Sequence, residues 1–266
     1  MLKNIFNRGI KMKIKYLIPC RLLDVQEAAR REKLLKEWAF PNTEVSIACV
    51  TEGPVTLESK YEEYLSISAT AKEMLRFEKE GYDAAILGCA VDPGLDAMRE
   101  ITTKMLVVGL GEASVLTAAM LGHKFSIITI YESTIISNEE LAYKAGVLDK
   151  LASVRALNIA VLDLAVNRKS TLEKIIRVSQ KAIEDDGADC LVLGCGSMGF
   201  LNVADEISNY FKIPVISPPK IALKMAESLV SIGLMHSKKA FALPPKLSLG
   251  KVKNINQLLE YGHPCK

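Results

Sequence analysis

Two cysteines stand in nearly the same setting. Cys89 ends the run AAILGC and Cys195 ends CLVLGC, each just after a glycine. Aligned over nine residues, GYDAAILGC (81–89) and GADCLVLGC (187–195) agree at Gly81/Gly187, Asp83/Asp189, Leu87/Leu193, Gly88/Gly194 and Cys89/Cys195. Each cysteine falls at the carboxyl end of a strand-like run and ahead of a helical pattern. Open α/β sheets bind their ligands along that edge. The free N–H groups and positive dipole end of a following helix lower a thiol's pKa from its usual ~8.5. If two such thiols face each other about a pseudo-twofold axis, they approach one carbon from opposite sides. That geometry suits inversion of a carbon next to a carbonyl. One group takes a proton from one face and the other returns a proton to the opposite face. Backbone N–H groups can stabilise the enolate-like intermediate. No metal or organic cofactor is needed for this, and none is expected.

The second stretch, LVLGCGSMGF, also spells G-x-G-x-x-G through Gly194, Gly196 and Gly199. A dinucleotide fingerprint opens the first βαβ unit and is followed about 20 residues later by an acidic residue. This stretch lies late in the chain. The next strand-like run ends in Ser217, Pro218 and Pro219, with no acid. The thiol-presenting turn is therefore preferred. Gly109 and Gly111 form only a partial G-x-G.

The elements that must position these turns follow from periodicity. Strand-like runs fall at 14–18, 45–50, 84–88, 105–109, 125–130, 155–162, 190–194 and 213–217. Helical patterns lie at 22–38, 60–80, 95–103, 112–122, 137–146, 170–186, 201–211 and 219–233. This alternation predicts an α/β fold with parallel sheets covered by helices on both faces. The repeat divides the strands into two sets of four. Two similar lobes related by a pseudo-twofold axis are expected, each with a four-stranded parallel sheet. Their boundaries are placed at 12–110 plus 219–240 for the first lobe and 111–218 for the second, with a tail at 241–266 that carries a short helical stretch near 254–261. Ser170 and Glu173 read as a capping box. Asp92 and Pro93 read as N-cap and N1 of the helix after Cys89. Ser197 reads equally as a helix cap or as a substrate hydrogen-bond donor. Glu112 belongs to a helix first turn, and His123 to the surface.

Bulk composition excludes several classes. The chain has 266 residues, a net charge of +3 and 49% hydrophobic residues. No basic run interleaved with aromatics points to nucleic acid, and no apolar window is long enough to span a membrane. The first residues do not read as a signal peptide; residues 1–11 are either an extension or precede an alternative start at Met12. The six cysteines form no C-x-x-C pair and show no zinc spacing. Cys49 and Cys190 read as core and Cys265 as tail. A cytoplasmic homo-oligomer acting on a small molecule is expected, with no nucleic-acid or membrane partner.

The segments EGPVTLESKYEE (52–63), GYDAAILGCAVDPGLDAMRE (81–100), VVGLGEAS (107–114) and DCLVLGCGSMGF (189–200) resemble hydantoin racemases, within the aspartate/glutamate racemase superfamily. The resemblance runs from Met12 to about Ser231. It implies a cofactor-independent racemase with Cys89 and Cys195 as acid/base thiols across a cleft between lobes. It implies substrate contacts from Pro19, Gly53, Pro54, Ala90, Val91, Gly196 and Ser197, and a helix 219–233 that returns to the first lobe. One departure bears on the substrate. Where family members carry Asn-Pro-Asn, this chain has Ile18-Pro19-Cys20. A 5-substituted hydantoin or related ureide is the first expectation. An aspartate or glutamate racemase, a related isomerase or decarboxylase, and a non-catalytic binding protein are the alternatives.

Overall fold

In the computed structural model, residues 12–21 and 24–258 are described. Strands alternate with helices in chain order: β1 (Met12–Ile18), α1 (Val25–Trp38), β2 (Thr43–Cys49), α2 (Lys60–Lys79), β3 (Ala84–Leu87), α3 (Leu95–Ile101), β4 (Leu106–Gly109) and α4 (Leu110–Leu121). Then follow β5 (Phe125–Thr129), α5 (Ile135–Lys144), β6 (Leu151–Ala156), α6 (Arg168–Glu184), β7 (Cys190–Leu193), α7 (Gly196–Gly199), α8 (Ala204–Phe211), β8 (Val215–Ile216) and α9 (Pro218–Ser231). The strands form two parallel sheets, ordered β2-β1-β3-β4 and β6-β5-β7-β8. The order is the same in both, as the repeat predicts.

The repeated residues are repeated because each does the same job in its own lobe. Gly81 and Gly187 adopt positive φ, 80° and 75°, where the chain leaves a long helix; glycine takes this conformation without a steric penalty. The Asp83 carboxylate accepts the N–H of Lys13 at 2.7 Å as β1 begins. Asp189 likewise accepts the N–H groups of His123 and Lys124, at 2.9 and 3.0 Å, just before β5. At the far ends, Gly88 N–H donates to Leu17 O at 2.7 Å and Gly194 N–H to Ile128 O at 2.8 Å. Each central strand is thereby held to its neighbour up to the residue before the cysteine.

Three local expectations are corrected. The apolar run 155–162 is not a strand throughout: β6 spans Leu151–Ala156. Its ladder with β5 ends at Thr129↔Ala156, Asn158 turns the chain with φ 53°, and a 3-10 turn follows at Val161–Asp163. Leu157, Val161 and Leu164 still bury in the core, so the apolar run records burial rather than strand pairing. The N-cap of α6 is Asn167, whose side chain accepts the Ser170 N–H at 3.1 Å; Ser170 already lies inside the helix. The pattern at 201–211 divides into the end of a turn after α7 and the helix α8. The first two residues expected in α1 and the last eight of the tail, 259–266, lie outside the described residues. Within the tail, Ile255–Leu258 form a 3-10 turn.

Helix α9 crosses back to the first sheet. Ala222, Leu223 and Ala226 are fully buried with Ile14, Tyr16, Ile86 and Leu106. Burial of a leucine such as Leu223 contributes about 2 kcal/mol. The segment after α9 straps the edge of the same lobe. His236 Nε2 accepts the Val107 N–H at 2.9 Å, and the Lys238 ammonium donates to the carbonyl of Arg99 at 2.5 Å and to that of Thr102, closing the end of α3. Burial, then the Arg99 charge, hold His236 near pKa 4, below its usual 6.5. An imidazole that folding holds neutral adds stability above about pH 6.5 and loses it as pH falls toward 4. Part of the fall in melting temperature between pH 7 and pH 5 is therefore expected to vanish in His236→Gln. Thermal melts of both proteins at the two pH values measure it, and identical falls would contradict this role. No helix among the described residues is long and apolar enough to cross a membrane.

Candidate active site

The carboxyl ends of the two sheets meet at a small cavity of about 60 Å³. Cys89 and Cys195 both line it, from the turns after β3 and β7. Pro19, Ala90, Val91, Gly196 and Ser197, all expected at the site, line it too. The two cysteine turns pack against each other. A Cβ placed on Gly196 would lie 3.1 Å from Gly88 O and 3.2 Å from Leu110 Cδ2. Behind them stands Tyr16 of β1, with its ring so close to Gly88 that a Cβ there would lie 2.5 Å from Cε1. The Tyr16 hydroxyl is buried and has no hydrogen-bond partner among the described residues. Its ring meets Phe200 edge-on, and Phe200 stacks on Trp38.

Asp92 does not cap α3, contrary to the local reading. Gly94, with φ 71° and no side-chain hydrogen bond, is the N-cap there. Asp92 has φ 50°, and its carboxylate reaches the start of α4. Oδ1 accepts the Gly111 N–H at 3.0 Å and Oδ2 the Glu112 N–H at 2.6 Å. Two orphan donors at the positive end of a twelve-residue helix are a stronger attraction than a local cap. Burial pushes Asp92 up to about pKa 7, and these two N–H groups work against that rise. Gly109 and Gly111 leave the space required: a Cβ at Gly109 would lie 2.4 Å from Asp92 Oδ2, and one at Gly111 only 2.1 Å from Ala90 O. Glu112 sits in the first turn of α4, as expected, and pairs with Arg99. His123 is exposed.

Gly53 and Pro54 are corrected. Neither lines the cavity; Thr56 and Leu57 do. Arg21 fastens the earlier turn, its Nε donating to Gly53 O at 2.8 Å and its backbone N–H to Pro54 O at 2.9 Å. Ile18 and Cys20 both face the cavity. Five polar lining residues were not anticipated: Arg31, Thr56, Glu63, Thr129 and Thr134. Thr129 ends β5 as Ile18 ends β1, so the repeat held the signal for it. Arg31 and Glu63 lie on helices and have no such mark. Ser197 accepts from Arg31 Nη2 at 3.2 Å, which decides its protein partner.

Each thiol keeps some accessible surface yet lies deep among protein atoms. Burial pushes Cys89 well up; the Val91 N–H opposes this, and Cys20, Cys195 and Glu63 add to it. Burial also raises Cys195, but the N–H groups of Met198 and Ser197 and the Arg31 charge pull it down, with Glu58 opposing them. The expected lowering by a helix start is therefore outweighed by desolvation at both thiols. Among the described residues, no group of three or more His, Cys, Asp or Glu is placed to hold a metal ion.

Known proteins resemble this chain in sequence and fold. A family model described as Asp/Glu/Hydantoin racemase matches residues 28–226. A hydantoin racemase of Pseudomonas sp. (strain NS671) is 33% identical over 248 residues, covering 92% of this chain and 98% of its own. A hydantoin racemase of Paenarthrobacter aurescens is 34% identical over 74% of this chain and 82% of its own. Among solved structures, the allantoin racemase from Klebsiella pneumoniae superposes with a TM-score of 0.82 at 29% identity, over 89% of this chain and 95% of its own.

Proposed function

The chain belongs to the Asp/Glu/Hydantoin racemase family and is a racemase, and on that premise we propose that Cys89 and Cys195 are its two acid/base groups. The observation that carries this is their placement: equivalent turns of two equivalent lobes bring both thiols to one small cavity. One cysteine, as thiolate, takes the proton from a carbon next to a carbonyl. The C–H electron pair moves into the carbonyl as an enolate. The other cysteine, as thiol, returns a proton to the opposite face, and the electron pair forms the new C–H bond. The reverse reaction exchanges the two roles.

The substrate proposed is a five-membered cyclic ureide, first a 5-substituted hydantoin. Its ring presents an activated carbon beside a carbonyl and carries its N–H and C=O groups at the ring edge. Ile18, Leu57, Ala90, Val91, Ile130 and Val161 make much of the wall apolar, which favours an apolar 5-substituent. Ile18 and Cys20, replacing two amides, remove the donors that a polar substituent would use, so allantoin ranks second.

The test is solvent exchange. Each enantiomer of several 5-substituted hydantoins, allantoin and aspartate is incubated in D₂O with the protein and, as a blank, without it. Deuterium at the activated carbon, appearing together with loss of optical rotation, is expected with a hydantoin. Exchange confined to aspartate would overturn the ureide assignment. Exchange with none of them above the blank would overturn the proposal.

A further inference from the structure

A proton passed across a plane needs one thiolate and one thiol, so two cysteines that differ in readiness to ionise divide the two roles. We propose that Arg31 makes the pair unequal, so that Cys195 gives up its proton more readily and Cys89 is the thiol that keeps its own. The catalytic consequence rests on the two-thiol reading above; the charge assignment itself does not.

The basis is an uneven charge distribution around one cavity. Arg31 projects from α1 of the first lobe into the Cys195 turn of the second. It is only 7% exposed. Its Nη2 donates to Ser197 Oγ at 3.2 Å, its Nε to Glu27 Oε1 at 2.7 Å, and its guanidinium lies 5.0 Å from the centre of the Phe200 ring. Glu27 does not neutralise it fully, because the same carboxylate accepts from Arg30 Nε at 2.6 Å and Arg30 Nη2 at 2.7 Å. One carboxylate between two guanidinium groups leaves a net positive charge, and the buried partner is the one at the cavity. A buried cation without a full counter-charge is costly; a thiolate at Cys195 supplies that charge.

The other end of the cavity has the opposite sign. Glu63 of α2 is also 7% exposed and lines the cavity. It accepts from Ser137 Oγ at 2.6 Å and has Lys60 Nζ at 3.4 Å. Around Cys89 stand this carboxylate, the Cys20 thiol, Cys195 and one N–H, that of Val91. Around Cys195 stand Arg31, the N–H groups of Ser197 and Met198, and Glu58. Tyr16, from β1, lies behind both and is held neutral by burial. Cys195 has the Arg31 cation as well as the Glu58 carboxylate beside it, whereas Cys89 has the Glu63 carboxylate and no cation among these neighbours.

Iodoacetamide alkylation over a range of pH, with each cysteine located by peptide mass spectrometry, tests this without any substrate. The midpoint pH of each cysteine's rate is the quantity to read, because steric access changes the plateau and not the midpoint. Cys195 is expected to have the lower midpoint. In Arg31→Gln the Cys195 midpoint rises by about one pH unit, so its rate at neutral pH falls roughly tenfold, while the Cys89 midpoint stays within a few tenths; Arg31→Lys recovers part of the change. A purely structural role for Arg31 would disturb both cysteines alike. A lower midpoint at Cys89, or an unchanged Cys195 midpoint in folded Arg31→Gln, overturns the proposal. Should Arg31→Gln fail to fold, the wild-type order and Arg31→Lys still decide it. An unequal pair in a protein that exchanges none of the ureides would overturn the proposed function and leave this assignment standing.

Discussion

Replacement of Cys89 or Cys195 by serine is expected, on the two-thiol proposal, to lower racemisation by roughly a thousandfold, within the range by which one acid/base group accelerates proton transfer. The substitution changes one atom in a cavity wall, so the fold is kept. A serine hydroxyl is too weak an acid to alternate between proton donor and acceptor near neutral pH. Loss of inversion need not mean loss of all chemistry. In Cys89→Ser, Cys195 still faces one side of the carbon. It can remove a proton, exchange it with solvent and return deuterium to the same face. One enantiomer then takes up label while its optical rotation persists, and Cys195→Ser should label the other. Mass spectrometry of substrate recovered from D₂O, read beside polarimetry, separates exchange from inversion. Racemisation within tenfold of wild type in either variant would rule out a two-thiol mechanism.

Gly111→Ala should damage both stability and activity. The added methyl would fall 2.1 Å from Ala90 O and 2.6 Å from Leu141 Cδ2. The first of these is backbone and cannot swing aside as a side chain can. Overpacking of this kind costs about 2–3 kcal/mol, which in a chain of this size lowers the melting temperature by several degrees. Ala90 follows Cys89 directly, so the strain is relieved by moving the thiol. A shift of about 1 Å in a reacting group costs on the order of a hundredfold in rate. Gly146 is the control. It has φ 71° with nothing within 4 Å of an added Cβ, so Gly146→Ala should cost about 1 kcal/mol and leave the rate alone. Melting curves and initial rates for the two variants make the comparison. Equal rates in both would mean that the Cys89 turn is not held by this contact.

The alternation of runs predicted two parallel sheets because burial on both faces leaves continuous apolar strands, and that signal needs only local sequence. The repeat located both thiol turns because Gly81, Asp83, Gly88 and their counterparts answer identical backbone demands in each lobe. Asp92 was misplaced because its partners, Gly111 and Glu112, lie some twenty residues on, while Pro93 and the next helix stood beside it. Gly53 and Pro54 were placed by resemblance alone; their carbonyls bond Arg21, and Thr56 and Leu57 two residues on line the cavity. Val161 and Leu164 bury without pairing, which a run of apolar residues does not distinguish from a strand. Arg31 and Glu63 lie among the charged residues of α1 and α2. Helical charges ordinarily face solvent, and only the docking of the second lobe brings these two inside.

The return of α9 to the first lobe bears on the order of synthesis. Strands β1 to β4 leave the ribosome first, but Ala222, Leu223 and Ala226, which fill their core, emerge only after the whole second lobe. The second lobe's strands and the helices α5, α6 and α8 are complete before α9 exists. A growing chain therefore carries a first sheet with one face only partly covered, by α1 and the start of α4, through roughly half of translation, and contacts so distant in sequence form slowly. The half of the protein that is made first is the last to be finished.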